Sequence, residues 1–190
     1  PTDFIARLVL NVGTPCLVLS TLSRAELDVG AFSQMALACV LVTSCMGLVG
    51  WLLSRLFGLD WKVLVPAYLF PNSGNMGLPM ALFAFGEPGL ALAVAFFLVL
   101  SVGHFSIGML LSGAAASVKG LLLNPIMISL ALVLPVLLLD FELPRWLANT
   151  VDLLGGMTIP LMLLTLGVSL ASIRLRHVGS GMLLGGLRIG

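Results

Sequence analysis

The sequence predicts an all-α polytopic membrane protein, and three observations carry the prediction. Apolar residues make up 59% of the 190-residue chain and charged residues only 9%, and the mean hydropathy is +1.17. A soluble domain carries roughly 25% charged residues. This chain therefore cannot cover a water-facing surface, which excludes a soluble enzyme, a disordered chain and a nucleic-acid binder; the net charge of only +1 adds nothing in favour of polyanions. Apolar runs of membrane-spanning length recur along the chain. One of them is broken at its centre by prolines, glycines and asparagines, and two others share a pattern.

A bilayer core of roughly 30 Å needs about 20 apolar residues per helix. Six runs meet this, at residues 4–22, 31–54, 63–85, 89–113, 121–139 and 146–173, and a seventh starts near His177. Turn-forming and charged residues separate them: 23–28 with Arg24, Glu26 and Asp28, then Gly58-Leu59-Asp60, Gly86-Glu87-Pro88, and 140–145 with Asp140, Glu142 and Arg145. Lipid offers no partner to unpaired backbone, and a barrel strand would be only about 10 residues long, so the runs are helices. The cysteines Cys16, Cys39 and Cys45 sit in apolar surroundings without a CxxC pair. They read as small buried hydrophobes, not as disulfide or zinc ligands.

The basic residues sort by side. Arg7, Arg55, Lys62, Lys119, Arg174 and Arg176 fall on one side of the spans, while Arg24 and Arg145 share the other with Glu26, Asp28, Glu87, Asp140 and Glu142. The positive-inside rule makes the first side cytoplasmic. The first helix then runs outward, and Trp51 and Trp61 stand near the inner interface, with Trp146 near the outer one.

The first and sixth runs look alike. Thr14-Pro15 followed by an apolar stretch with Ser20 matches Ile159-Pro160 followed by one with Thr165, 145 residues further on. Five helices lie between the two starts, an odd number, so the copies point in opposite directions. That is an inverted-topology repeat, the usual build of a secondary transporter. The expected halves have five helices each, with residues 1–116 in the first, a short linker at 117–120, and residues 121–190 in the second. The chain has no initiator Met and stops inside an apolar stretch. It is therefore expected to belong to a protein on the order of 300 residues, with one helix before Pro1 and most of three after His177.

The third run carries the chemistry. Pro71-Asn72-Ser73-Gly74-Asn75-Met76-Gly77-Leu78-Pro79 interrupts it at mid-span. Proline removes a donor and clashes with the preceding turn, and glycine allows backbone shapes closed to other residues. Two half-helices joined by an unwound stretch follow, with Pro79 at the start of the second. Unwound backbone at that depth survives only beside protein or a cavity. The new half-helix offers free N–H groups and a partial positive charge. Asn72, Ser73 and Asn75 add neutral donors and acceptors, which suits an anionic or polar solute.

These residues reach a family. Phe70-Pro71-Asn72-Ser73-Gly74-Asn75-Met76-Gly77-Leu78-Pro79 with Phe85-Gly86 downstream resembles the fourth-helix motif of the auxin efflux carrier family, which includes the plant PIN proteins and bacterial organic-acid permeases. Asn124-Pro125-Ile126 is similar to its sixth-helix opening, and Ile159-Pro160-Leu161-Met162 onward to its seventh helix. The resemblance implies ten helices in two inverted repeats of five, with crossing broken helices at the fourth and ninth positions. It also implies a short cytoplasmic linker at Lys119, as in bacterial members, and a place in the bacterial inner membrane.

The expected substrate site is Asn72, Ser73, Gly74, Asn75, Met76, Gly77 and Pro79, joined by Asn11, Pro15 and Pro160 from the repeat-related helices. His104 and Asp152 are ionisable residues within spans and are the candidates for proton or ion coupling. At His104 the family often has His-Asn where this chain has His104-Phe105, which weakens a paired role carried over from it. Gly181 and Gly185 form a GxxxG, read as a packing face. The expected activity is secondary transport of a small organic anion by alternating access. A sodium-coupled bile-acid-type symporter, a transporter-fold membrane sensor and a passive channel are the rival readings. Proton or sodium, the bilayer and a homodimer are the partners considered. No cofactor, metal, enzymatic activity or nucleic acid is expected.

Overall fold

A computed structural model describes residues 2–24, 29–108, 120, 123–139, 143–172 and 186. The described residues are helical or in turns, with no strand. The first run is α1 (Thr2–Leu8), a π-helical turn (Val9–Gly13) and α2 (Thr14–Arg24). The second is α3 (Val29–Phe57). The third and fourth are α4 (Trp61–Leu69), a π-helical turn (Ser73–Gly77), α5 (Leu78–Gly103) and a last π-helical turn (His104–Gly108). The fifth is α6 (Pro125–Leu139), and the sixth is α7 (Arg145–Gly156) followed by α8 (Thr158–Ser172).

Four stretches are long and apolar enough to cross a membrane: Asp3–Arg24, Gly30–Phe57, Trp61–Gly108 and Arg145–Ala171, with Pro125–Val136 shorter. The 48 residues of Trp61–Gly108 exceed what one crossing needs. They bend inside α5 at Gly86, whose φ of 68° and ψ of −160° lie in a region essentially closed to residues with a Cβ. The two arms then run antiparallel, with Gly74 against Phe97 and Phe70 against His104. The connection expected at Gly86-Glu87-Pro88 is this bend.

The ends of the helices follow from local chemistry. Gly58, at φ 63°, closes α3. The Asp60 carboxylate accepts from the Lys62 N–H at 2.9 Å and caps α4. Asn124 caps α6 in the same way, its Oδ1 accepting from the Ile126 N–H at 2.9 Å, with Pro125 in the first turn.

The helices pack as two groups. α3 folds back along α4, with Gly47 and Gly50 against Leu69 and Tyr68, and the group is completed by α5, where the Cys39 thiol approaches the Phe96 carbonyl at 3.6 Å. In the second group α2 packs on α6 and α7, and α8 lies against α1. The groups meet where α2 and α6 touch α5, and where α8 touches the π-turn Ser73–Gly77. Val18, Leu22, Leu78, Val94, Leu98 and Val133 form the centre of the shared core.

The first and sixth runs cross antiparallel. A Cβ on Gly13 would lie 2.6 Å from Thr158 Oγ1, and one on Gly155 would lie 3.1 Å from Leu17 Cα. Further along, Asp152 is bonded by Ser20 and Arg24. Both runs are interrupted just before their proline, at Val9–Gly13 and at Met157. A proline cannot donate to the carbonyl four residues back and crowds it. The turn ahead of Pro15 relaxes to π spacing, where the Thr14 N–H and its Oγ1 (3.0 Å) both reach the Val9 carbonyl.

Much of the apolar surface is exposed, including Leu37, Leu41, Leu48 and Leu52 on α3. That is the surface a lipid-facing helix presents. It also corrects one expectation: Cys39 is buried and Cys16 half-buried, but Cys45 is exposed on α3. The linker at 117–120 apart from Gly120, the start of a helix near His177, and Gly181 and Gly185 lie outside the described residues.

Candidate functional site

The break in the third run is the geometric centre of the site. α4 ends at Leu69, and Phe70, Pro71 and Asn72 connect it to the new helical turn. The unwound stretch is thus shorter than the sequence suggests, and helical spacing resumes at Ser73, ahead of Pro79. The reason is the π-turn: the Leu78 N–H reaches the Ser73 carbonyl and the Gly77 N–H reaches the Asn72 carbonyl at 3.2 Å. Pro79, in the first turn of α5, is buried in packing and does not line the cavity at the break. The N–H groups of Gly74, Asn75 and Met76 fall in the first turn of the resumed helix, where no helical carbonyl precedes them.

A cavity of about 410 Å³ opens on this turn. That is ample for a small organic molecule. The break supplies Phe70, Pro71, Asn72, Ser73, Gly74 and Asn75. The second helix group faces them with Thr14 ahead of Pro15 and with Thr165 and Ser169 from α8. Val9, Phe97, Phe105, Ile126 and Met162 give the cavity an apolar wall. It therefore lies between the two helix groups, with amides and a helix start on the side of the break and hydroxyls on the facing side.

His104 lines the same cavity. Its imidazole stacks edge-on against Phe70 at 4.8 Å and Phe105 at 5.3 Å between ring centres. It begins the π-turn His104–Gly108, and Gly108 leaves the space that the Phe70 ring fills, since a Cβ there would be 2.9 Å from Phe70 Cε2. The structure thus brings together Asn72, Ser73, Gly74, Asn75 and His104.

The other expected residues lie elsewhere. Met76 and Gly77 line a second, apolar groove of about 1010 Å³, which Pro71, Asn72 and Ser73 also reach. Asn11 is exposed on the π-turn Val9–Gly13, and its Nδ2 donates to the Arg7 carbonyl at 2.9 Å. One π-turn places Val9 and Thr14 on the cavity face and carries Asn11 off it. Pro15 lines a third cavity of about 460 Å³ beside Pro135 and Val151. Pro160 is exposed and lines none of these. Asp152 lies outside the cavity, paired with Arg24 and accepting from the Ser20 hydroxyl. Sequence reasoning missed Thr14, Ser101, Thr165 and Ser169 as lining residues. Ser and Thr in apolar helices commonly bond their own backbone, as Ser101 does to Phe97 O and Thr165 to Leu161 O. Among the described residues no group of three or more His, Cys, Asp or Glu converges to hold a metal.

A bundle of long apolar helices, one broken at a cavity, has the build of a multi-pass membrane protein. The comparisons with known proteins agree. The model of the family described as "Membrane transport protein" matches residues 2–119, and the chain belongs to this family, that of the auxin efflux carriers. An uncharacterized transporter of Methanothermobacter thermautotrophicus is 30% identical over 196 residues, covering 96% of this chain and 64% of its own length. The chain thus spans less than two thirds of that relative. No solved structure matches the chain.

Proposed function

We propose that the protein carrying this chain is a secondary transporter of a small organic anion in the plasma membrane, working by alternating access. The observation that carries this reading is the helix break at Asn72–Asn75, which lines a cavity lying between the two helix groups. The anionic end of the solute accepts from the first-turn N–H groups at Gly74 and Asn75 and from the Asn72 and Asn75 amides, helped by the helix dipole. The apolar wall at Phe97, Phe105 and Met162 takes its body. Movement of the α3–α5 group against the other would expose the break alternately to each side. In this reading the protein does no enzymatic chemistry.

The antiparallel crossing supports an inverted repeat. Gly13 packs on Thr158, its own counterpart at the 145-residue offset, as a two-fold axis through that crossing requires. The interruptions ahead of Pro15 and Pro160 also correspond. The test is uptake of labelled organic acids into proteoliposomes. Asn72→Ala and Asn75→Ala should each reduce uptake at least tenfold with expression unchanged, about what losing a hydrogen bond to a charged group costs. Uptake kinetics equal to the unsubstituted protein would sink the site.

A further inference from the structure

We propose that His104 is the proton-binding residue of the cavity, so that an organic anion binds together with a proton. This rests on the anion reading of the cavity given above. Among the described residues, His104 is the one lining side chain with a titratable group; the rest are apolar or are neutral hydroxyls and amides. The break contributes Phe70 to Asn75, α5 contributes Phe97, Leu100 and Ser101, and α6 contributes Ile126. α8 contributes Met162, Thr165 and Ser169. The first run contributes Ala6, Val9, Leu10 and Thr14, and its charged residues Asp3 and Arg7 are exposed outside the lining. Asp152, the other ionisable candidate within a span, is already bound by Arg24 and Ser20 away from the cavity.

Dipoles and neutral amides can orient an anion, and a full opposite charge beside them offsets the hydration it gives up on entering the cavity. Histidine is the side chain whose charge changes between about pH 5 and pH 8. The imidazole is exposed to the cavity, so protons reach it from water, while Phe70 and Phe105 fix its ring. A proton from water adds to the unprotonated ring nitrogen, and the imidazolium pairs with the carboxylate. The two charges cancel, and nothing else is made or broken. Release returns the proton to water on the other face. Because Phe70 belongs to the break, the charged group and the amide-lined turn are held in one unit: a Cβ on Gly74 would meet the Phe97 ring at 3.2 Å, and Phe70 seats on His104 itself.

The experiment is titration calorimetry on the intact purified protein with benzoate, 3-methylbutanoate and malonate, and with benzamide as an uncharged twin of benzoate. Binding is measured at about pH 6 and about pH 8 in buffers of different ionisation enthalpy. The expected result is affinity about tenfold or more weaker at the higher pH, with uptake of about one proton per anion there, as reciprocal linkage demands. His104→Gln should remove both the pH slope and the proton uptake, and benzamide should show neither. Equal affinity at the two pH values, no proton uptake, a slope unchanged in His104→Gln, or a benzamide slope like that of benzoate overturns the role of His104 and leaves the anion site standing. Binding of none of the three acids at either pH overturns the anion reading itself. The proton count needs only the unsubstituted protein, so absence of proton uptake overturns the proposal even where the variant fails to fold.

Discussion

Arg24, the last residue of α2, forms an ion pair with Asp152 in the second turn of α7, and the Ser20 hydroxyl donates to the same carboxylate. This ties the first and sixth runs together beyond their crossing point. Arg24 is 66% exposed and Asp152 21% exposed, so much of the Coulomb attraction is screened by solvent. The pair is expected to contribute about 1 kcal/mol or less. Asp152→Asn keeps an acceptor for Ser20 and loses the ion pair. It should lower the thermal unfolding midpoint slightly in detergent and leave the pH slope of anion binding intact. Loss of that slope in Asp152→Asn would move the proton site from His104 to Asp152.

The crossing itself is set by two glycines with different neighbours. At Gly13 an added Cβ meets the Thr158 hydroxyl at 2.6 Å, a side-chain atom, whereas at Gly155 it meets backbone of Cys16 and Leu17 at 3.1 to 3.2 Å. Both Gly13→Ala and Gly155→Ala should destabilise, by about 1–3 kcal/mol as overpacking does. Only the first has a simple cure. Thr158→Ala removes the Oγ1 and Cγ2 atoms that a Cβ on Gly13 meets and leaves only the Thr158 Cβ at 3.4 Å. Thermal unfolding of the two double variants should show rescue of Gly13→Ala by Thr158→Ala and none for Gly155→Ala. Equal rescue of both would mean the helices do not cross at these residues.

The break was legible because its signal is compositional: Pro71, Pro79, Gly74, Gly77, Asn72 and Asn75 within nine residues of an apolar run. The bend at Gly86 was legible for the same reason, from Gly86-Glu87-Pro88. The start of the second half-helix was not, because π spacing lets the chain resume helical bonding at Ser73 without a distinctive residue. The placement of Asn11 failed for a related cause. The sequence treats the first run as one regular helix, and the π-turn at Val9–Gly13 shifts which side chains face the cavity. Asp152 reads as an isolated intramembrane acid because Arg24 is distant along the chain, and only the antiparallel crossing brings the two together.

Gly74 joins the break to the opposite arm of the bend, and this makes cavity width testable apart from cavity polarity. An added Cβ there would lie 3.2 Å from Phe97 Cε2, a tighter approach than ordinary contact, and both residues line the cavity. Gly74→Ala therefore pushes the Phe97 ring toward the bound solute or shifts the turn that carries Asn72 and Asn75. Misplacing a positioning group by about 1 Å can cost as much as a hundredfold in function. The variant should fold, with an unfolding midpoint lowered by the equivalent of about 1–2 kcal/mol at most. Its affinity for the best-bound acid should fall about tenfold, the effect of roughly 1.4 kcal/mol. Phe97→Leu in the same chain removes the ring atoms that the new methyl group meets and should recover most of the lost affinity. Phe97→Leu alone, which only enlarges the apolar wall, should favour bulkier acids over smaller ones. Calorimetric binding of benzoate and 3-methylbutanoate to the three variants decides it. Full affinity in Gly74→Ala, or no recovery in the double variant, would separate Gly74 and Phe97 from the binding cavity.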